Sequence, residues 1–360
     1  MWFMSNSYIK TKKSGSKAVI IILSSVLAVV LIVAIVLAVI LINKSDDKDK
    51  GSDNSLSNSS IDSSGDGNVD PNSSSGDSSN DGSTQESPAE TDENTIATRF
   101  SVPEGYIRVD VEAGSFAEYI RNYTLKPKGS IAYYYDDETG SYFENKEAST
   151  VGVFELPNQL NRWMQCADSV IMLYAEYLYS QQKYSEISFT FANGFECDWL
   201  TYSQGNRFNS SNSTWELKAD PDDSYESFQK YLDLVYQYAN TDSLARDMSS
   251  SPAMQDISIG DAFVVGVSQL QAVAAAVAPG IDIKYGHAIF VADVAVNPTT
   301  GECIFMLAEG NTPATDITII ENPDTSMGVW FKFNEVGSFV KNENPGIPWS
   351  AAWLKRFPGQ

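Results

Sequence analysis

Histidine occurs once in this 360-residue chain and cysteine three times. That scarcity excludes a zinc finger or any tetrahedral site of paired Cys-x-x-Cys motifs. Positive charge is scarce as well: 24 Lys and Arg stand against 47 Asp and Glu, a formal net charge of -23. A nucleic-acid binder needs a basic face to displace counterions, so that class is excluded too. The chain lacks a phosphate-binding Gly-rich loop ending in Gly-Lys, a dinucleotide fingerprint and a His-Glu-x-x-His helix. Acidic runs at Asp66, Asn68, Asp70 and Asp77, and at Asp220, Asp222 and Ser224, miss the Gly and Glu that a calcium loop requires. No metal and no cofactor is expected. What the scarcity leaves open is a single Cys–His pair.

Three regions differ in composition. Residues 18–42 form an apolar run without charge, Pro or Gly. At about 1.5 Å per residue this run exceeds a ~30 Å hydrocarbon core, so it is expected to span a membrane as a transmembrane helix with some tilt. A cleavable signal peptide competes with that reading, but its apolar core is normally only about 7–15 residues. Lys10, Lys12, Lys13 and Lys17 precede the run. By the positive-inside rule, residues 1–17 are cytoplasmic and the C-terminal part is extracellular, anchored to the cell membrane in a single pass. Residues 43–96 are Ser, Asp, Asn and Gly with almost no apolar side chain. They bury too little area to offset chain entropy and are expected to be a disordered acidic linker. Residues 97–360 are long enough for a substantial core and form an extracytoplasmic globular domain.

Within that domain, Ser115-x-x-Glu118 reads as a capping box opening a helix through Arg121. SIAYYYDD and TVGVFEL read as strands. Residues 160–181 carry Trp163, Ala167, Val170, Ile171, Tyr174 and Leu178 at the period of an amphipathic helix. ISFTFA and FECDWL flank Asn193-Gly194, a hairpin signal. A second helix is expected over 224–239, a strand over 259–265, an Ala-rich segment over 269–278, and two strands around Asn-Pro-Thr-Thr-Gly. Helices early and antiparallel strands late make an α+β fold.

His287 opens the first strand of the late hairpin. If Val296 faces Glu302 across the loop, His287 faces Asn311, and Glu309 lies diagonally on the same face. An amide or carboxylate beside a histidine fixes its tautomer and stabilises its charged form. The same ladder places Cys303 roughly 27 Å from His287 at ~3.4 Å per residue, so Cys303 is a packing residue. Cys197 lies within a strand, a poor place to acidify a thiol. Cys166 lies in the first part of the 160–181 helix, where the helix dipole favours a thiolate if the helix starts close to it. Gln165 precedes it and offers a side-chain donor to an oxyanion. A buried structural cysteine and a Cys166–Cys197 disulfide are the competing readings. Trp199, Tyr202, Arg207, Phe208 and Trp215 surround the polar stretch SQGNRFNSSNS. They read either as a substrate groove or as a core edge beside a loop.

RFSVPEGYIRV, QCADSVIMLYAEYLYS, YANTDSLARD, IGDAFVV, GHAIFVADVAVNPTTGECIFMLAEGNTPA and WLKRF together resemble an uncharacterised bacterial family known only as a domain of unknown function, over most of 99–357. More remotely, Ile-Gly-Asp-Ala-Phe-Val-Val followed by Tyr-Gly-His-Ala-Ile-Phe-Val is similar to the Gly-Asp and Gly-His strands of papain-like amidohydrolases of the CHAP and NlpC types. That resemblance implies a nucleophile on an earlier helix, matched by Cys166. It also implies a polar third residue on the strand after the histidine, matched for the CHAP type by Glu309-Gly310-Asn311. The sequence departs from the family in the residues before Cys166 and in the Ala-rich segment between the two strands. Two functions follow as expectations. One is a membrane-anchored cysteine amidohydrolase or peptidase acting on cell-wall or peptide amide bonds. The other is a non-catalytic binding or scaffold domain of the same fold that uses the aromatic groove.

Overall fold

The computed structural model describes residues 94–360 except 278, 282 and 342–346. The expected membrane helix, and the expected linker as far as residue 93, lie outside the described residues. Among the described residues no helix is long and apolar enough to cross a membrane. The described residues include the last three of the expected linker. Thr95 caps α1 (Ile96–Arg99), and Ile96 is fully buried.

The fold is mixed α+β with antiparallel sheets. The short strand β1 (Ile107–Arg108) leads to α2 (Phe116–Arg121). Ser115 caps α2 by accepting from Glu118 N, but the Glu118 carboxylate accepts from Gly114 N, so the expected capping box is shifted by one residue. β2 (Tyr133–Asp136) and β3 (Ser141–Glu144) form a ribbon. α3 (Cys166–Ser180) follows, and 13 of its 15 residues are buried. It is therefore a central helix enclosed on all sides, not the amphipathic helix that the apolar spacing predicts. Each buried Leu or Ile on it contributes about 1.5–3 kcal/mol of transfer free energy.

The Asn193-Gly194 hairpin forms as expected, joining β4 (Ser188–Thr190) to β5 (Glu196–Asp198). Asp198 then caps α4 (Trp199–Ser203), so the last residues of FECDWL are helical. β6 (Asn206–Asn209) pairs with β7 (Thr214–Leu217). α5 (Tyr225–Tyr238) and α6 (Thr241–Asp247) precede β8 (Ala262–Val265), and α7 (Val267–Val277) is the Ala-rich segment.

The main sheet is built on β9 (His287–Val296) and β10 (Cys303–Glu309). Its order is β11–β10–β9–β8–β15, where β11 is Thr318–Ile319 and β15 is Leu354–Lys355. β12 (Trp330–Phe331) adds to β10, and β1 adds to β9. A separate ribbon pairs β13 (Ser338–Val340) with β14 (Pro348–Ser350). Two buried carboxylates pin the sheet. Asp293 on β9 is held by Arg108 at 2.6 Å and Arg121 at 2.8 Å, and Asp261, beside β8, by Arg356 at 2.6 Å. Unpaired, either charge would be strongly destabilising at that depth. The Asp of Gly-Asp and the Arg of WLKRF thus have a structural task.

Candidate active site

The position of Cys166 depends on where α3 starts. Asn161 accepts from Trp163 N at 2.8 Å, an Asx turn that competes with helical bonding and keeps the preceding residues out of the helix. Gln165 has extended backbone at the N-cap, and its N–H donates to Asp168 Oδ2 at 3.1 Å. Cys166 is therefore the first helical residue, six residues later than the apolar period suggests. Its sulfur lies beside unpaired N–H groups at the positive end of a long buried helix.

His287 is the first residue of β9 and pairs with Val265. Gly286 before it is required by close approach. A Cβ there would lie 2.4 Å from Thr241 Oγ1 and 2.6 Å from Val265 O. The loop after β9 is not as expected, because Val296 faces Cys303 rather than Glu302. A β-bulge then offsets the error: Met306 faces Asp293, but Leu307 faces Val291. Beyond the bulge, Ala308 faces Phe290, which restores the expected register where it matters. Glu309 consequently lies diagonal to His287, and its Oε2 is 2.5 Å from His287 Nε2. Gly310 lets the end of β10 lie against α3, since a Cβ there would be 2.2 Å from Ser169 Oγ. Helix start, strand and strand end therefore meet at one point.

The electrostatics follow from this convergence. Burial alone would raise the Cys166 thiol. The His287 charge, a hydrogen bond from His287 and the N–H groups of Ala288 and Ala167 outweigh it and bring the thiol below its ordinary value. His287 is pushed down by burial and by the Lys341 charge. It is pushed up more strongly by Cys166 and Glu309, to about 9. Burial raises Glu309, but Lys341 and His287 together lower it to about 2. Nε2 is engaged by Glu309, which leaves Nδ1 for the thiol. The other two thiols contrast with this, since burial pushes Cys197 well up and Cys303 up.

The remaining expected residues divide. Gln165 is in place beside Cys166. Its Oε1 accepts from Thr312 Oγ1 at 3.2 Å, leaving the amide N–H₂ as a donor. Asn311 lines a cavity with His287 but makes no hydrogen bond to the ring; Glu309 is the orienting partner. Cys303 is at the opposite end of the hairpin. All three cysteines are free, so the Cys166–Cys197 disulfide does not form. Trp199 and Tyr202 are 1 % and 5 % exposed and pack on Phe228 and Tyr231. Arg207 stacks over the Tyr202 ring at 4.0 Å, and Trp215 packs on Phe195. Trp199 and Tyr202 thus belong to the core, while Arg207 and Trp215 are half-buried at its edge. Missing from the sequence reading are Lys341, 2.5 Å from Glu309 Oε2, and Trp349, edge-on to His287 at 5.7 Å.

A cavity of about 360 Å³ opens on His287 between Gly286, Asn311, Lys341 and Trp349. Cys166 itself is only 4 % exposed. A larger cavity of about 510 Å³ lies around Lys126, Tyr142 and Leu160 and is lined by neither Cys nor His. Among the described residues no cluster of His, Cys, Asp and Glu is arranged to hold a metal ion. Neither the curated proteins nor the solved structures contain a match. A family model described as a domain of unknown function (4846) matches residues 96–344, and the chain belongs to that family.

Proposed function

We propose that this chain is a membrane-anchored, extracytoplasmic cysteine amidohydrolase or peptidase of papain-like type, acting on amide bonds of cell-wall or other peptides. One observation carries the reading: of three thiols, only Cys166 stands at a helix start, its sulfur 4.0 Å from the carbonyl of Gly286, the residue before an imidazole that a carboxylate holds in turn. In this mechanism the Cys166 thiolate attacks the amide carbon, and the electron pair moves onto the carbonyl oxygen. The Cys166 N–H and the Gln165 amide supply hydrogen bonds to that oxygen. His287 passes its proton to the leaving amine as the C–N bond breaks, giving a thioester. It then takes a proton from water as the water displaces the thiolate. Glu309 orients the ring throughout. The strongly acidic chain disfavours anionic polymers and suits a neutral or cationic peptide.

A Cys166→Ala chain that folds normally should release no amine from a peptide library that the wild type cleaves. Cleavage surviving that change would end the proposal. The anchored topology has its own test. Protease added to intact cells should release a fragment that begins within 44–96, and protection of that fragment would reverse the orientation.

The binding-domain reading keeps one supporting observation, that the cavity reaches His287 while the sulfur is almost covered. Covalent labelling separates the two readings, since a binder has no need of a fast-reacting thiol.

A further inference from the structure

We propose that Lys341 is a positioning residue of this site. It shares the Glu309 carboxylate with His287, so that the imidazolium can surrender its proton to a leaving amine. The proposal rests on the catalytic reading above.

Three polar atoms form a closed triangle. Lys341 Nζ and His287 Nε2 each lie 2.5 Å from the same oxygen, Glu309 Oε2, and 3.4 Å from one another. The side chains of Lys341, Glu309 and His287 are only 16 %, 12 % and 15 % exposed, so solvent screens them little. One ribbon delivers the cation. Lys341 directly follows β13, and Trp349 on the paired β14 lies 5.8 Å from its ammonium and 5.7 Å from the imidazole. Charged and titratable groups reach His287 from each element around it: Cys166 from α3, Glu309 from β10 and Lys341 from the ribbon. Lys284 shares its cavity, and on α3 burial, together with the Cys166 charge, raises the buried Asp168.

The chemistry gives this arrangement a purpose. A carboxylate and a thiolate on either side of one imidazole would hold its proton too firmly for a general acid. A fixed cation on the far side of the carboxylate takes up part of its charge. It also opposes the imidazolium directly, because both groups are donors toward the same oxygen. A lysine that only braced the ribbon would have no need of the oxygen that the ring uses.

His287 is the only histidine in the chain, so its titration can be read without ambiguity. The full-length protein in detergent, labelled only at histidine, would be titrated by NMR as wild type, Lys341→Met and Lys341→Arg. The midpoint should rise by about one unit in Lys341→Met, roughly a tenfold tighter hold on the proton, and return in Lys341→Arg. The alkaline limb of peptide hydrolysis should move the same way. A midpoint that stays or falls in folded Lys341→Met would overturn the proposal; if that variant does not fold, Lys341→Gln reads the same shift. Iodoacetamide labelling of wild-type Cys166, run in parallel, separates the two readings. Slow labelling sinks the catalytic reading, whereas fast labelling with an unmoved midpoint sinks the Lys341 proposal alone.

Discussion

Cys166 and Cys197 are buried to nearly the same depth, yet their thiols lie on opposite sides of the ordinary value. Both lose water. Cys197 sits in a hairpin strand opposite Phe189, with Asp198 next in the chain, and nothing compensates the charged form. Cys166 sits at a helix start with an imidazole against it. Burial by itself therefore silences a thiol; burial with a cationic partner activates one, because the same low dielectric strengthens the pair.

The largest expected effect tests that contrast directly. At pH 7, iodoacetamide should label Cys166 faster than Cys197 by on the order of 10³, measured by peptide mass spectrometry on the folded protein. In His287→Ala the Cys166 rate should fall by on the order of 10², to a value nearer that of Cys303. Equal rates for Cys166 and Cys197 in the wild type would erase the distinction between the two regions.

The two regions also differ in how far they were legible. Near Cys197, local signals sufficed: Asn193-Gly194 set the turn, and the period of 224–239 set α5 within a residue at each end. The aromatics beside it misled, because spacing does not say whether Trp199 faces solvent or Phe228. Near Cys166, strand alternation with an assumed loop offered both Asn311 and Glu309 as partners of His287; the ring bonds Glu309, and the loop, misjudged by one residue, is offset by the bulge before Leu307. The start of α3 was hidden because an Asx turn at Asn161 overrides an apolar period. Lys341 was beyond local reading altogether: it reaches the site through a ribbon distant in sequence, and no motif surrounds it.

Trp199→Ala should sharpen the contrast from the other side. Removing a fully buried indole should cost about 3–5 kcal/mol by chemical denaturation, while labelling of Cys166 in the folded fraction stays fast. A loss of Cys166 reactivity in parallel would mean that the aromatic region supports the site. Glu309→Gln should also cost stability, because it leaves the Lys341 ammonium without its carboxylate, and it should give a lower His287 titration midpoint than the wild type's value near 9. Cys166 labelling should slow by roughly tenfold, since the ring loses its orienting partner and part of its charge stabilisation. An unchanged midpoint would remove Glu309 from the site.

The smallest effect concerns stability against pH, and its sign can be worked out. His287, raised in the folded state, contributes stability that is complete below about 6.5 and is lost as pH rises through about 9. Cys166, lowered in the folded state, contributes stability that is complete above the ordinary thiol value and is lost as pH falls. The slope of stability with pH depends on the difference in protons bound, and the two groups act in opposite directions: the raised His287 adds a proton to the folded state where the lowered Cys166 removes one, so the pair contributes a smaller slope than either group alone. His287→Ala breaks the balance. Its buried thiol, left without the cation, should then resemble Cys197 and keep its proton in the folded state. Above pH 9 the unfolded thiol ionises alone, and the variant should lose stability there. Denaturant midpoints at matched pH would show parallel profiles for wild type and variant if no thiolate–imidazolium pair existed, and profiles that diverge above pH 9 if it does.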